Sequence, residues 1–275
     1  MNELDAYKMD GLGNDFIIFD RREKPIVFTR EQIIKVANRQ NIGCDQIIFI
    51  NKDKNSDADL TFYNSDGGEV GACGNGSRCV AFLLMKEKNS KEISLKTKGG
   101  ILKANLDQKD LVCINMGKPS FDWEKIPLNK EINNKNLKIK IKNINNKEIE
   151  GGFSLSIGNP HVVFFVNDYN EYDLKKIGPE IENHKYFPKK CNVTLACVMN
   201  KKNIKIKVWE RGVGLTKACG TAACAAVVSS SALKLTERSV NVEFEEGSLK
   251  IDWNLNDNIY MTGPVSKIKK IKVNA

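Results

Sequence analysis

The chain matches itself. Gly13-Asn14-Asp15-Phe16-Ile17-Ile18-Phe19 returns as Gly158-Asn159-Pro160-His161-Val162-Val163-Phe164, so that Asn14 and Asn159 stand 145 residues apart. Gln46, which precedes I-I-F-I, matches Asn192 before V-T-L-A-C-V at an offset of 146. Tyr63-Asn64 and a glycine-containing loop lead to Ala72-Cys73-Gly74-Asn75, and Trp209-Glu210 with a similar loop lead to Ala218-Cys219-Gly220-Thr221, again at 146. Gly100-Ile101-Leu102-Lys103 matches Gly247-Ser248-Leu249-Lys250, and Met116-Gly117 matches Thr262-Gly263. Five matches in one register restrict the fold to two copies of one unit. Gly-Lys-Pro at 117–119 and Gly-Pro at 263–264 mark the crossings between copies. The predicted division is residues 1–118 plus 265–275 as the first domain and 119–264 as the second, with the alternating tail Ser266 to Val273 returning as a strand to the first.

Within each copy, short apolar runs bounded by Gly, Asn and Asp surround one strongly apolar helix, which is an α+β pattern. In the first copy strands are predicted at 16–20, 46–50, 59–63, 92–97, 101–106 and 111–115. The two helices are predicted at 74–88, carrying C-V-A-F-L-L-M, and at 220–233, carrying A-A-C-A-A-V-V. Both are apolar around most of their circumference, as a helix wrapped by sheet must be. T-R-E-Q from Thr29 is a capping box that starts a shorter amphipathic helix, with no equally clear counterpart in the second copy. L-K-I-K-I-K at 137–142, inside an Asn/Lys-rich tract at 129–148, reads as a strand with one wet face.

The chemistry concentrates at the helix starts. Cys73 and Cys219 each stand where a glycine-containing loop becomes a helix, and a thiol there feels unpaired backbone N–H groups and the positive end of the helix dipole, which lower its pKa. Duplication predicts that the two thiols address one point from opposite sides, the arrangement needed to remove a proton from one face of a carbon and return one to the other. The amides of Gly74-Asn75 and Gly220-Thr221 would bind a carboxylate and stabilise charge developing beside it.

Other chemistries fit less well. Eight cysteines at spacings of C-x5-C and C-x4-C, with only His161 and His184 beside them, match no zinc site, and no metal is expected. A polar N-terminus and the absence of any apolar run near membrane length point to the cytosol, where these thiols stay reduced. The net charge of +9 comes from scattered lysines with no interleaved aromatic motif, so neither nucleic acid nor membrane is an expected partner. G-V-G at 212–214 lacks the third glycine of a dinucleotide loop and reads as a hairpin turn; there is no phosphate-binding loop and no nucleophile elbow. His161 reads as a core histidine that finds a hydrogen bond rather than as half of a Cys-His pair.

Six motifs then appear in a familiar order: M-D-G-L-G-N-D-F (9–16), G-C-D-Q (43–46), Y-N-S-D-G (63–67), A-C-G-N-G-S-R-C (72–79), G-N-P-H (158–161) and E-R-G-V-G-L-T-K-A-C-G-T (210–221). In these, over nearly its whole length, the chain resembles the diaminopimelate epimerase family. The resemblance implies two similar domains, each a barrel-like, mostly antiparallel sheet around a central helix. It implies a cofactor-independent isomerase of lysine and cell-wall precursor synthesis that works as a homodimer. It implies Cys73 and Cys219 as paired acid and base, Gly74, Asn75, Gly220 and Thr221 at the reacting carboxylate, and Glu210 at its ammonium. Asn64, Asn159, Asn192 and Arg211 would read the distal end of the substrate, with Asn14 and Gln46 completing the pocket. A zwitterion at each end of a substrate calls for such groups, and Arg211 suits a bidentate carboxylate contact.

The chain departs from the family pattern at Asp10, where histidine is usual, at Ala222, where glycine is usual, and at Thr194-Leu195, where an acidic-aromatic pair is customary. None of these removes a catalytic group, so they bear on substrate fit. Two further readings are a proline-racemase-type enzyme, which needs neither Arg211 nor the distal asparagines, and a ligand-binding protein on the same duplicated fold, which would not need both cysteines.

Overall fold

In the first copy the apolar runs at 16–19 and 47–50 are unbroken because those two strands are covered on both faces. The computed structural model describes residues 3–107, 110–142 and 147–274. The chain divides into two compact units: residues up to Asn115 together with those from Thr262 onward, and Met116–Met261.

The first unit is built on a run of strands whose pairing order is Lys269–Asn274, Glu3–Gly11, Asn14–Asp20, Gln46–Asn51, Ala58–Asn64, Glu92–Thr97, Gly100–Leu106 and Val112–Asn115. All steps are antiparallel except two, 14–20 on 46–51 and 58–64 on 92–97. Each parallel step needs a crossover, and a helix supplies it. Helix α1 (Arg30–Ala37) makes the first and helix α2 (Gly74–Lys88) the second. Thr29 caps α1 through the predicted box, its hydroxyl accepting from Gln32 N–H while Gln32 Oε1 accepts from Thr29 N–H. Ile17, Phe19, Ile47 and Phe49 pack toward α1 with Ile33 and Val36. On the other face, Phe16, Ile48 and Phe62 surround Gly76 of α2, which packs against strands from both ends of the run, so the sheet wraps it. The tail returns as a strand beside Glu3–Gly11, as its alternation predicts.

The second unit repeats this plan. Phe153–Ser156, Pro160–Phe165, Asn192–Asn200, Asn203–Glu210, Ser239–Phe244 and Gly247–Trp253 pair in that order, with parallel steps at 160–165 on 192–200 and at 203–210 on 239–244. Helix α3 (Leu174–Glu182) makes the first crossover and helix α4 (Gly220–Ala232) the second. Helix α3 is therefore the counterpart of α1 that the sequence does not reveal. Its cap is Asp173 alone, without Glu or Gln at the third position, and Gly178-Pro179 in its middle read as breakers. The four α-helices among the described residues, set against sheet in both units, make the fold α+β. Asn203–Glu210 and Gly214–Thr216 form the predicted hairpin across 211–213. Ile139–Lys142 pairs with Glu148–Gly151, its isoleucines inward and lysines outward; residues 143–146 of that tract lie outside the described residues. No described helix is long and apolar enough to cross a membrane.

Candidate active site

Cys73 and Cys219 occupy the same backbone position in the two units. Each is the residue before the helix, at φ −141°, ψ 114° for Cys73 and φ −136°, ψ 115° for Cys219, both extended. The first amides of α2 and α4 have no partner four residues back within their helices, so each helix start offers N–H donors beside a sulfur.

In the first unit, Cys73 Sγ accepts from Gly76 N–H at 3.4 Å and lies 3.8 Å from Asn14 Oδ1. Asn14 is fixed from behind, its Nδ2 donating to Asp45 Oδ2 at 3.0 Å. Asp45 is in turn tied to Asp15 through backbone and side chain, and Arg39 donates to both carboxylates. Burial raises the pKa of Asp15, but hydrogen bonds from Arg39 and Lys8 outweigh it and bring the group down to about 2. Gln46 and Asn64 face each other across the strand pair, Gln46 Nε2 donating to Asn64 Oδ1 at 2.8 Å. Gly74 opens α2 and Asn75 is buried in its first turn.

In the second unit, Cys219 is buried and makes no capping bond with its sulfur, which sits 3.4 Å from Thr221 Oγ1. The expectation of a lowered thiol pKa fails here. Burial, then the neighbouring Glu210 carboxylate, push the Cys219 thiol well above its ordinary value, against the opposing pull of the Thr221 hydroxyl and the nearby Ala222 amide. Desolvation of the thiolate outweighs the helix dipole. Asn159 Nδ2 donates to Thr221 Oγ1 at 3.4 Å, and its Oδ1 pairs with His161 Nε2 at 2.9 Å. His161 is thus a core histidine that holds Asn159, as the sequence suggests. Burial, then the positive charge of Arg211, depress its pKa to about 3, so the ring is neutral and donates through Nε2. Glu210 accepts from Thr216 Oγ1 at 2.6 Å, and Gly220 opens α4. Asn192 is buried, its Oδ1 accepting from Arg211 N–H at 3.0 Å and its Nδ2 donating to Pro160 O at 2.9 Å, so it ties the Arg211 loop to the strand that starts at Pro160. Arg211 also donates to Lys189 O at 3.2 Å.

The structure thus gathers Asn14, Gln46, Asn64, Cys73, Gly74 and Asn75 in one unit and Asn159, Asn192, Glu210, Arg211, Cys219, Gly220 and Thr221 in the other. Asp45 and Thr216 also hold residues of these groups; both lie inside motifs quoted above, but nothing in the sequence marks their bonds.

A sequence profile described as diaminopimelate epimerase matches residues 6–122 and 153–268. A diaminopimelate epimerase of Pelagibacter ubique (strain HTCC1062) is 52% identical over 271 residues, covering 98% of this chain and 99% of that one. A diaminopimelate epimerase of Caulobacter sp. (strain K31) is 41% identical over 270 residues, covering 94% and 93%. Among solved structures, a PhzF-family phenazine biosynthesis protein of Bacillus anthracis has a TM-score of 0.69 at 15% identity over the whole of both chains. A hydroxyproline epimerase of Agrobacterium vitis has a TM-score of 0.67 at 13% identity, covering 99% of this chain and 93% of that one. At such identities the two structures speak for the fold.

Proposed function

The chain belongs to the diaminopimelate epimerase family, and on that premise we propose that it interconverts L,L- and meso-diaminopimelate, with Cys73 and Cys219 as the acid-base pair. The observation that carries the residue assignment is the shared cap geometry of the two cysteines, each at the start of a wrapped helix and each with polar groups about its sulfur.

One cysteine, as thiolate, takes the α-proton, and the C–H electron pair stays on carbon, delocalised into the carboxylate. The other cysteine gives its thiol proton to the opposite face, and the two leave with their ionisation states exchanged. Burial favours Cys219 as the neutral thiol. The N–H groups of Gly74, Asn75, Gly220 and Thr221 receive the carboxylate and the charge that develops there. Glu210 meets the α-ammonium. Arg211, with Asn64 and Asn159, recognises the distal zwitterion, Asn14 and Gln46 bound the pocket, and Asn192 serves it by holding the Arg211 loop. No step calls on a cofactor. We place the enzyme in lysine and cell-wall precursor synthesis in the cytosol, as a homodimer whose mass light scattering would give.

The test is the reaction in D2O with L,L-diaminopimelate under reducing conditions. Formation of the meso isomer with deuterium at the inverted centre is expected. Diaminopimelate left inert while proline is isomerised would replace this reading by a proline-racemase-type one, and binding without exchange would replace it by a ligand-binding protein.

A further inference from the structure

Glu182 is a buried carboxylate at the end of α3 that none of the chemistry above uses. Its Oε2 accepts from Trp209 Nε1 at 2.7 Å and its Oε1 accepts from Gly212 N–H at 3.0 Å. Those two donors bracket Glu210 and Arg211 in sequence. Lys190 lies 3.6 Å from Oε1 at the rim, and Cys191 also feels the carboxylate. Helix α3 grips the same segment a second way, because a Cβ at Gly178 would come within 2.7 Å of the Trp209 ring. Asn192 also holds the Arg211 amide, and Lys189 O receives the guanidinium. Gly212 has φ 73°, so the chain turns just after Arg211, at the residue whose N–H Glu182 receives.

We propose that Glu182 is a positioning residue for Arg211: by clamping Trp209 and Gly212 it fixes the direction of the guanidinium that reads the distal carboxylate, and so sets the enzyme's preference for substrates carrying one. A buried carboxylate that accepts two N–H donors holds them more firmly than a neutral acceptor would. The proposal rests on the assignment of Arg211 to the distal carboxylate.

Glu182→Gln keeps the shape but turns an NH2 group toward one of the two donors, breaking one arm. In the full-length enzyme this variant should raise KM for L,L-diaminopimelate about tenfold while kcat changes less than about threefold, the pattern of lost uniform binding. In an Arg211→Ala background the same substitution should raise KM less than about twofold, since residues acting through one contact are not additive. Hydrogen exchange across 209–212 should speed up without substrate. Trp209→Phe removes the indole arm and keeps most of the ring packing; it should raise KM about threefold at unchanged kcat, and it serves if Glu182→Gln does not fold. An unchanged KM, a tenfold rise that persists in the Arg211→Ala background, or unchanged exchange at Gly212 would overturn the proposal. Wild-type enzyme that leaves diaminopimelate unturned would count against the function proposed above, whereas the exchange measurement judges the clamp independently of substrate.

Discussion

Cys73 and Cys219 share a backbone conformation to within a few degrees, yet their sulfurs live differently. Cys73 is partly exposed and caps its own helix through Gly76 N–H, whereas Cys219 is buried, does not cap, and has a thiol driven upward by burial and by Glu210. The helices beneath them differ in the same sense. Gly76 has no room for a methyl, because Ile48, Phe16 and Phe62 would lie 2.7, 3.2 and 3.2 Å from it. The repeat puts Thr194, His161 and Val208 at the corresponding places, all smaller and all buried, and there the helix carries Ala222. Between the two copies, a helix residue larger by a methyl thus stands opposite smaller strand residues. Duplication preserved the path of the chain and left each copy to fill its interior separately.

The comparison can be broken at the sulfurs first. Cys73→Ala and Cys219→Ala should each lower kcat/KM about 1,000-fold or more, roughly 4 kcal/mol, with the fold intact by circular dichroism. An active variant at either position would show that only one half of the pair does chemistry.

The helix cores come next. Gly76→Ala should destabilise by about 1–3 kcal/mol through overpacking, and Ala222→Gly by about 1 kcal/mol through helix propensity, both read by urea denaturation. Equal costs at the two positions would mean that the interiors are not as differently filled as their side chains indicate.

Alkylation sharpens the contrast between the thiols. Iodoacetamide at neutral pH should label Cys73 about tenfold faster than Cys219, because reactivity follows thiolate content and access. Peptide mapping resolves both from the partly exposed Cys113. Faster labelling of Cys219 would contradict the burial and the direction of its shift.

The smallest effect is in acid. His161 stands where the first copy has Phe16, and its folded pKa of about 3 lies below the ordinary 6.5. The unfolded chain therefore binds a proton that the folded one refuses, so this stabilisation is complete above about pH 6.5 and is lost as pH falls toward 3. His161→Phe should remove that loss, which amounts to about 1 kcal/mol at pH 5.5. Asp15 acts lower down: its folded pKa of about 2 gives stability that is present above about pH 3.9 and lost as pH falls toward 2. Equal acid sensitivity of wild type and variant near pH 5.5 would show His161 to be protonated in the fold.

Much of this architecture is written in the sequence because repetition doubles every signal. A predicted helix at 74–88 is observed at Gly74–Lys88, and predicted strands at 92–97 and 46–50 are observed at Glu92–Thr97 and Gln46–Asn51. What escapes is what depends on partners distant in the chain. Helix α3 is hidden because its stability comes from packing Leu174, Ile177 and Ile181 into the core around Val193 and Leu195, while its local signals argue against a helix. The Cys219 shift is hidden because a helix start is visible in sequence and the depth of burial is not. Asp45 and Thr216 stand within or beside the motifs, but their bonds to Asn14 and Glu210 appear only once the strands are in register. Glu182 sits 28 residues before Glu210 and meets that loop only because the crossover brings α3 back across it.

The pairing of Lys269–Asn274 with Glu3–Gly11 sets a timetable. On the ribosome, the strand that completes the first unit emerges only after the whole of Met116–Met261. The second unit can close as an uninterrupted stretch while the opening strand of the first still lacks its neighbour. The half of the enzyme begun first is finished last, and until then the outer edge of Glu3–Gly11 is an unpaired strand that the cell must keep from other chains.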